Sequence, residues 1–147
     1  MYKLLSAVFL IGSSVASLAD IIEVKMLNKN DAGDRMVFTQ ELIRAEVGDV
    51  IRFLPTDRYH NAQSVKGGLP DGQQSLKGKR NKDVEYTITK SGLTAVICAP
   101  HQTMGMVALI VVGGDLSNAQ EVLGARLRGK GNARIKALIE EAKATQS

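Results

Sequence analysis

The chain has few of the residues that build covalent scaffolds or large aromatic cores. Its 147 residues include one cysteine, no tryptophan, three tyrosines, three phenylalanines, three prolines and two histidines. A single cysteine excludes an internal disulfide framework and a cysteine-rich zinc module. Three prolines and 14 glycines exclude a collagen-like chain. Charge of one sign is barely in excess: 19 Lys+Arg against 15 Asp+Glu give +4. With so few aromatics, that balance argues against nucleic-acid binding. No apolar run approaches the about 20 residues that span a bilayer. What remains is 44% hydrophobic and 23% charged, a globular composition with room for one domain and a real core.

The first residues read as an address. Met1-Tyr2-Lys3 carries one positive charge, residues 4–11 form a short apolar core, and Ser17-Leu18-Ala19 ends the segment. That order is a secretory signal peptide, with cleavage expected after Ala19 and Ala16 as the alternative. Removing residues 1–19 takes away Lys3 and no acid, so residues 20–147 carry +3. Such a chain folds in an oxidising compartment. Its lone cysteine is then an inert buried thiol, a dimer crosslink, or a metal or redox group.

Period-2 patterning predicts strands. Ile22, Val24 and Met26 alternate with Glu23 and Lys25; Ile51 and Phe53 flank Arg52; Val84, Tyr86 and Ile88 alternate with polar residues. Met36-Val37-Phe38 is a short apolar run. Residues 93–98 and 106–112 are nearly continuous apolar runs, as in strands buried on both faces. Glycine-rich turns separate these segments. A mostly β fold follows, a sandwich or barrel over about residues 20–113. The period then changes. Ser117-Asn118-Ala119-Gln120 has the form of a capping box, followed by Leu116, Ala119, Leu123 and Leu127 on one helical face. Gly129 and Gly131 are expected to break this helix. Ile135, Leu138, Ile139 and Ala142 predict a second, so that two short C-terminal helices occupy about residues 115–145.

The scarce residues converge on one stretch. Cys98-Ala99-Pro100-His101-Gln102-Thr103-Met104-Gly105-Met106 connects the two most apolar runs, and the other histidine, His60, precedes Asn61 in a polar segment. A thiolate, two imidazoles and a thioether serve both Cu(I) and Cu(II), and His₂Cys with a weak axial Met is the blue-copper pattern. Pro100 stiffens the loop and Gly105 lets it turn back. Spacing leaves Met104 and Met106 both open as the thioether. Nucleophilic Cys-His catalysis would leave the second histidine unexplained, so an enzyme is not expected.

These residues resemble the pseudoazurins, a branch of the cupredoxin family of type I copper proteins. The resemblance rests on residues 24–29 (Val-Lys-Met-Leu-Asn-Lys), Met36-Val37-Phe38, His60-Asn61, residues 98–106 and the helical tail. It implies a Greek-key sandwich and one copper held by His60, Cys98, His101 and Met106; Met104 would suit the shorter loop of the amicyanins. It also implies that Asn61 steadies the thiolate loop from outside the ligand set. The chain departs from the family at Ala99, where a hydroxyl residue is frequent, and at Ile97, where a lysine is frequent.

The resemblance further implies a periplasmic one-electron carrier and a monomer. His101 would be the electron exit, with Pro100, Met104 and Met36 forming an apolar docking surface. Lys77, Lys79, Arg80 and Lys82 fall within six residues without an acid and would steer acidic partners, such as nitrite reductase or c-type cytochromes. A second basic group, Arg126, Arg128, Lys130, Arg134 and Lys136, reads as solvated helix surface. Copper storage or delivery is the alternative class of function.

Overall fold

The structure, a computed structural model, describes residues 18–146; the leader expected from the sequence falls mostly on residues 1–17, outside the described residues. Eight strands precede two helices: β1 (Ile21–Lys29), β2 (Arg35–Phe38), β3 (Leu42–Ala45), β4 (Val50–Leu54), β5 (Gln63–Ser64), β6 (Val84–Thr87), β7 (Gly92–Ile97), β8 (Val107–Val112), α1 (Ala119–Gly124) and α2 (Lys130–Ala144). They form two four-stranded sheets, ordered β2-β1-β4-β6 and β3-β8-β7-β5. The sheets make a sandwich rather than a closed barrel. Parallel pairs join β1 to β4 and β3 to β8; the other pairs are antiparallel.

Alternation along the strands decides what lies between the sheets. Val24 and Met26 of β1, Ile51 and Phe53 of β4, and Val96, Ala108 and Ile110 of the other sheet meet there. Phe38 packs edge-on to Phe53 with ring centroids 5.7 Å apart, and each such buried side chain contributes about 1.5–3 kcal/mol. The opposite faces of β7 and β8 present Leu93, Ala95, Ile97, Val107, Leu109 and Val111 to the helices. Ile135, Leu138, Ile139 and Ala142 of α2 cover them. The helical layer is therefore why these two strands read as unbroken apolar runs.

Three local details differ from the sequence reading. The short strands β3 and β5 were not predicted. The capping box does not form: Asn118 is the N-cap residue and makes no side-chain cap bond. Its amide instead clamps Leu93, accepting from the backbone N–H at 2.8 Å and donating to the carbonyl at 2.9 Å. Gly131 breaks nothing. It lies inside α2 and buried, where a Cβ would come 2.8 Å from the Gln102 carbonyl oxygen.

Candidate metal centre

The connection between β7 and β8 is short and tightly bonded. The Cys98 N–H donates to the Met106 carbonyl (3.0 Å), and the N–H groups of Met104 and Met106 donate to the His101 carbonyl (3.0 and 3.2 Å). Gln102–Met104 form one 3₁₀ turn, ended by Gly105 at φ 95°, the left-handed conformation expected of a glycine there. The loop thus returns Met106 beside Cys98, and both are fully buried in the core between the sheets. Met104 points outward and is 48% exposed.

His60 comes from the connection after β4. The segment reads as polar, yet His60 is fully buried and Asn61 nearly so. Two backbone bonds hold this segment against the basic loop: Asn81 N–H to the His60 carbonyl (2.9 Å) and Gly78 N–H to the Ala62 carbonyl (2.9 Å). Asn81 Oδ1 also accepts from the Tyr59 N–H at 2.5 Å. Tyr59 and Asn81 have positive φ, 73° and 62°, as does Met36 at 54°. Among the described residues these are the three non-glycine residues with positive φ, and all three flank the site, where strain is held only if the surroundings over-determine it.

The donor atoms form a compact triangle. Cys98 Sγ lies 3.6 Å from His60 Nδ1 and 3.4 Å from His101 Nδ1, and the two nitrogens are 3.1 Å apart. Its centre is roughly 2 Å from each corner, close to the about 2.0–2.3 Å of first-row metal bonds to imidazole and thiolate. Among the described residues this is the only group of three or more His, Cys, Asp or Glu donors arranged to hold a metal ion.

The surroundings prepare those donors. His60 Nε2 donates to Asn28 Oδ1 at 2.8 Å, which leaves the Nδ1 lone pair aimed at the centre. Burial, then the neighbouring His101, holds the His60 imidazole below its ordinary pKa. Burial, then the charge of Arg80, does the same for His101. Both rings are thus kept neutral, the form that binds metals. Burial pushes the Cys98 thiol up, against backbone N–H groups of Asn61 and His101 and the Arg80 charge. A metal ion bound at the sulfur would displace that proton to solvent. Two lone pairs and a sulfur facing one dry point suit a soft or borderline metal, and with buried Met106 the set fits one type I copper.

Asn61 links the halves of the pocket. Its Oδ1 accepts from the Ala99 N–H at 2.8 Å. Its Nδ2 donates to the Gly78 carbonyl and to Gln63 Oε1, both at 3.0 Å. The backbone of residue 99 supplies the bond, so alanine there costs Asn61 no partner. Sequence reasoning did not single out Asn28 as a site residue: in the chain it is one polar residue of β1, and only folding brings it to His60, 32 residues on.

Around the centre, Pro100 is exposed and His101 half-buried. Met36 and Met104 line one cleft with Lys130 and Arg134 of α2. Part of the second basic group thus belongs to the site's face rather than to remote helix surface, and Arg134 pairs with Glu41. Lys77, Lys79, Arg80 and Lys82 are exposed on the loop strapped to His60.

Known proteins resemble this chain in sequence and fold. Residues 24–113 match the family of copper binding proteins, plastocyanin/azurin family. The chain is 41% identical over 136 residues to the pseudoazurin of Paracoccus pantotrophus, covering 92% of this chain and 93% of that one. It is similar to the solved structure of a pseudoazurin from Sinorhizobium meliloti, with TM-score 0.81 and 37% identity over 86% of this chain and 99% of that one. For native pseudoazurin from Hyphomicrobium denitrificans the TM-score is 0.76 and the identity 38%, over 82% and 97%.

Proposed function

The chain belongs to the pseudoazurins, within the plastocyanin/azurin family of copper-binding proteins, and on that premise we propose that it is a periplasmic electron carrier, not an enzyme, whose copper is held by His60, Cys98, His101 and Met106. Copper, when bound, supplies a one-electron couple between Cu(I) and Cu(II). The chain's residues do the rest. Asn28 fixes the tautomer of His60, Asn61 holds the Cys98 loop to the His60 segment, and the two sheets exclude water. A site anchored to both sheets changes little when an electron arrives, which keeps transfer fast. The single observation that carries this reading is the triangle of Cys98 Sγ and two imidazole Nδ1 atoms in a buried pocket.

His101, half-exposed at the surface, is the route for the electron. Pro100, Met104 and Met36 form the apolar ground on which a partner rests. Lys77, Lys79, Arg80 and Lys82 steer acidic surfaces toward it, which favours fast, transient association. The partners are redox proteins such as nitrite reductase or c-type cytochromes. Residues 1–19 are a leader that is removed, and residues 20–147 work as a monomeric copper domain. Spectroelectrochemical titration of the copper-loaded protein tests the carrier role. One reversible one-electron wave per chain is expected; copper lost on reduction would instead indicate delivery and defeat the proposal.

A further inference from the structure

Asp49 is a carboxylate only 8% exposed, with no lysine or arginine in ion-pair distance among the described residues. Backbone N–H groups occupy both of its oxygens. Oδ2 accepts from Glu46 at 2.8 Å, within the turn between β3 and β4. Oδ1 accepts from Asp20 at 2.9 Å, from 29 residues earlier. The Asp20 carbonyl accepts in turn from the Val50 N–H at 2.9 Å, so adjacent residues at the start of β4 grip both backbone groups of Asp20. Pairing of β1 with β4 begins at the next residue, Ile21 opposite Val50. Leu18, Ala19 and Asp20 are all exposed, and Asp20 is the first described residue whose backbone N–H and carbonyl are both hydrogen-bonded. The bond that precedes it, between Ala19 and Asp20, is where the sequence places leader cleavage.

We infer that processing supplies the counterion Asp49 lacks: the α-ammonium freed at Asp20 pairs with the Asp49 carboxylate and locks β1 to β4. This rests on the reading of residues 1–19 as a leader. The step is hydrolysis by an export-associated endopeptidase. One water is consumed; its hydroxyl goes to the Ala19 carbonyl carbon and its hydrogen to the Asp20 nitrogen. The new amine takes another proton from solvent, because an α-amino group titrates near about 7.7–8.0. One ammonium hydrogen replaces the amide hydrogen already aimed at Oδ1. The bond keeps its place and gains charge on the donor side, which strengthens it. The chain is least stable while its leader is attached and gains the pair once the leader is gone.

The test begins with full-length protein exported from a bacterial host, its first residue read by N-terminal sequencing and intact mass. Asp20 is expected first. An intact leader would defeat the leader reading itself, and Ser17 as first residue would defeat the pairing. A double-mutant cycle follows, by urea unfolding. It compares the processed chain with one that retains Ala19, each with Asp49 and with Asp49→Asn. With Asp49 present, the processed chain should have an unfolding constant smaller by about two- to fivefold, the range of partly exposed ion pairs. With Asp49→Asn the ratio should fall to one. Equal constants with Asp49, or an unchanged ratio without it, would overturn the pairing. If Asp49→Asn does not fold, Nα-acetylation of the processed chain keeps the N–H and removes the charge. It should raise the unfolding constant by the same factor, and no change would overturn the inference.

Discussion

Adding one methyl group to the first turn of α2, at Gly131, should weaken this protein, although the helix itself would gain. In an open helical position, Gly→Ala stabilises by about 1 kcal/mol, because alanine loses less backbone entropy. At Gly131 the new Cβ would lie 2.8 Å from the Gln102 carbonyl oxygen and 3.3 Å from Val107 Cγ1. The first neighbour is backbone and cannot rotate away. That carbonyl also accepts the Gly105 N–H at 3.0 Å, so it is tied into the turn that carries His101 toward Met106. Either α2 lifts from β8 or the 3₁₀ turn shifts. Overpacking of this kind costs about 1–3 kcal/mol, which offsets or exceeds the propensity gain of about 1 kcal/mol, so a net loss of up to about 2 kcal/mol is expected. Gly124, the last residue of α1, supplies the control, since a Cβ there meets nothing within 4 Å. Gly124→Ala should stabilise by a few tenths to about 1 kcal/mol. Urea unfolding of both metal-free variants, followed by circular dichroism, measures the two signs. Gly131→Ala in copper-loaded protein should also alter the visible spectrum, while Gly124→Ala leaves it unchanged. If Gly131→Ala stabilises as much as Gly124→Ala, the close packing of α2 on the metal loop is wrong.

Other perturbations have equally definite outcomes. Asn61→Ala removes three hydrogen bonds and leaves the Ala99 N–H and Gly78 carbonyl unpaired; about 2–4 kcal/mol of stability should be lost in urea unfolding. Asn28→Leu frees the His60 tautomer, and competition with a chelator should show copper held about 10–100-fold more weakly. Hydrogen bonds from Glu46 and Asp20 lower the Asp49 pKa. Its stabilisation is therefore complete above the unfolded value of about 3.9 and is lost as pH falls through the lower folded value. Thermal unfolding of Asp49→Asn should accordingly depend less on pH below 4 than that of the unaltered chain. Replacing Lys77 and Lys79 with Gln should slow electron transfer to an acidic redox partner severalfold at low salt and hardly at all near 1 M, where screening reaches about 3 Å; equal slowing at both would refute steering.

Legibility in the sequence followed the range of the interactions. Cys98 and His101 sit three residues apart with Met104 and Met106 close behind, so a copper ligand set could be read from spacing although the choice of methionine could not, and the covered strands β7 and β8 announced themselves as apolar runs. β3 has only Leu-Ile-Arg-Ala, too short for a periodic signal, and exists because it pairs in parallel with β8. β5 is two residues held by β7 and by an isolated bridge from Gln63 to Lys77. Asn118 looked like part of a local cap because its true partner, Leu93, lies 25 residues away. Asn28 was silent for the same reason. Gly131 resembled a helix breaker, whereas its missing side chain is what lets α2 approach the loop. Met104 and Met106 could not be separated by spacing; burial separates them, one at the surface and one beside Cys98 in the core.

The central claim is that Cys98, His60 and His101 together hold one redox-active copper. Cu(II) titration of the purified protein, followed by visible absorption, tests it most directly. The account predicts an intense thiolate-to-copper band near about 600 nm that saturates at one copper per chain and is abolished by Cys98→Ser. Colourless binding, or colour that survives Cys98→Ser, would contradict it.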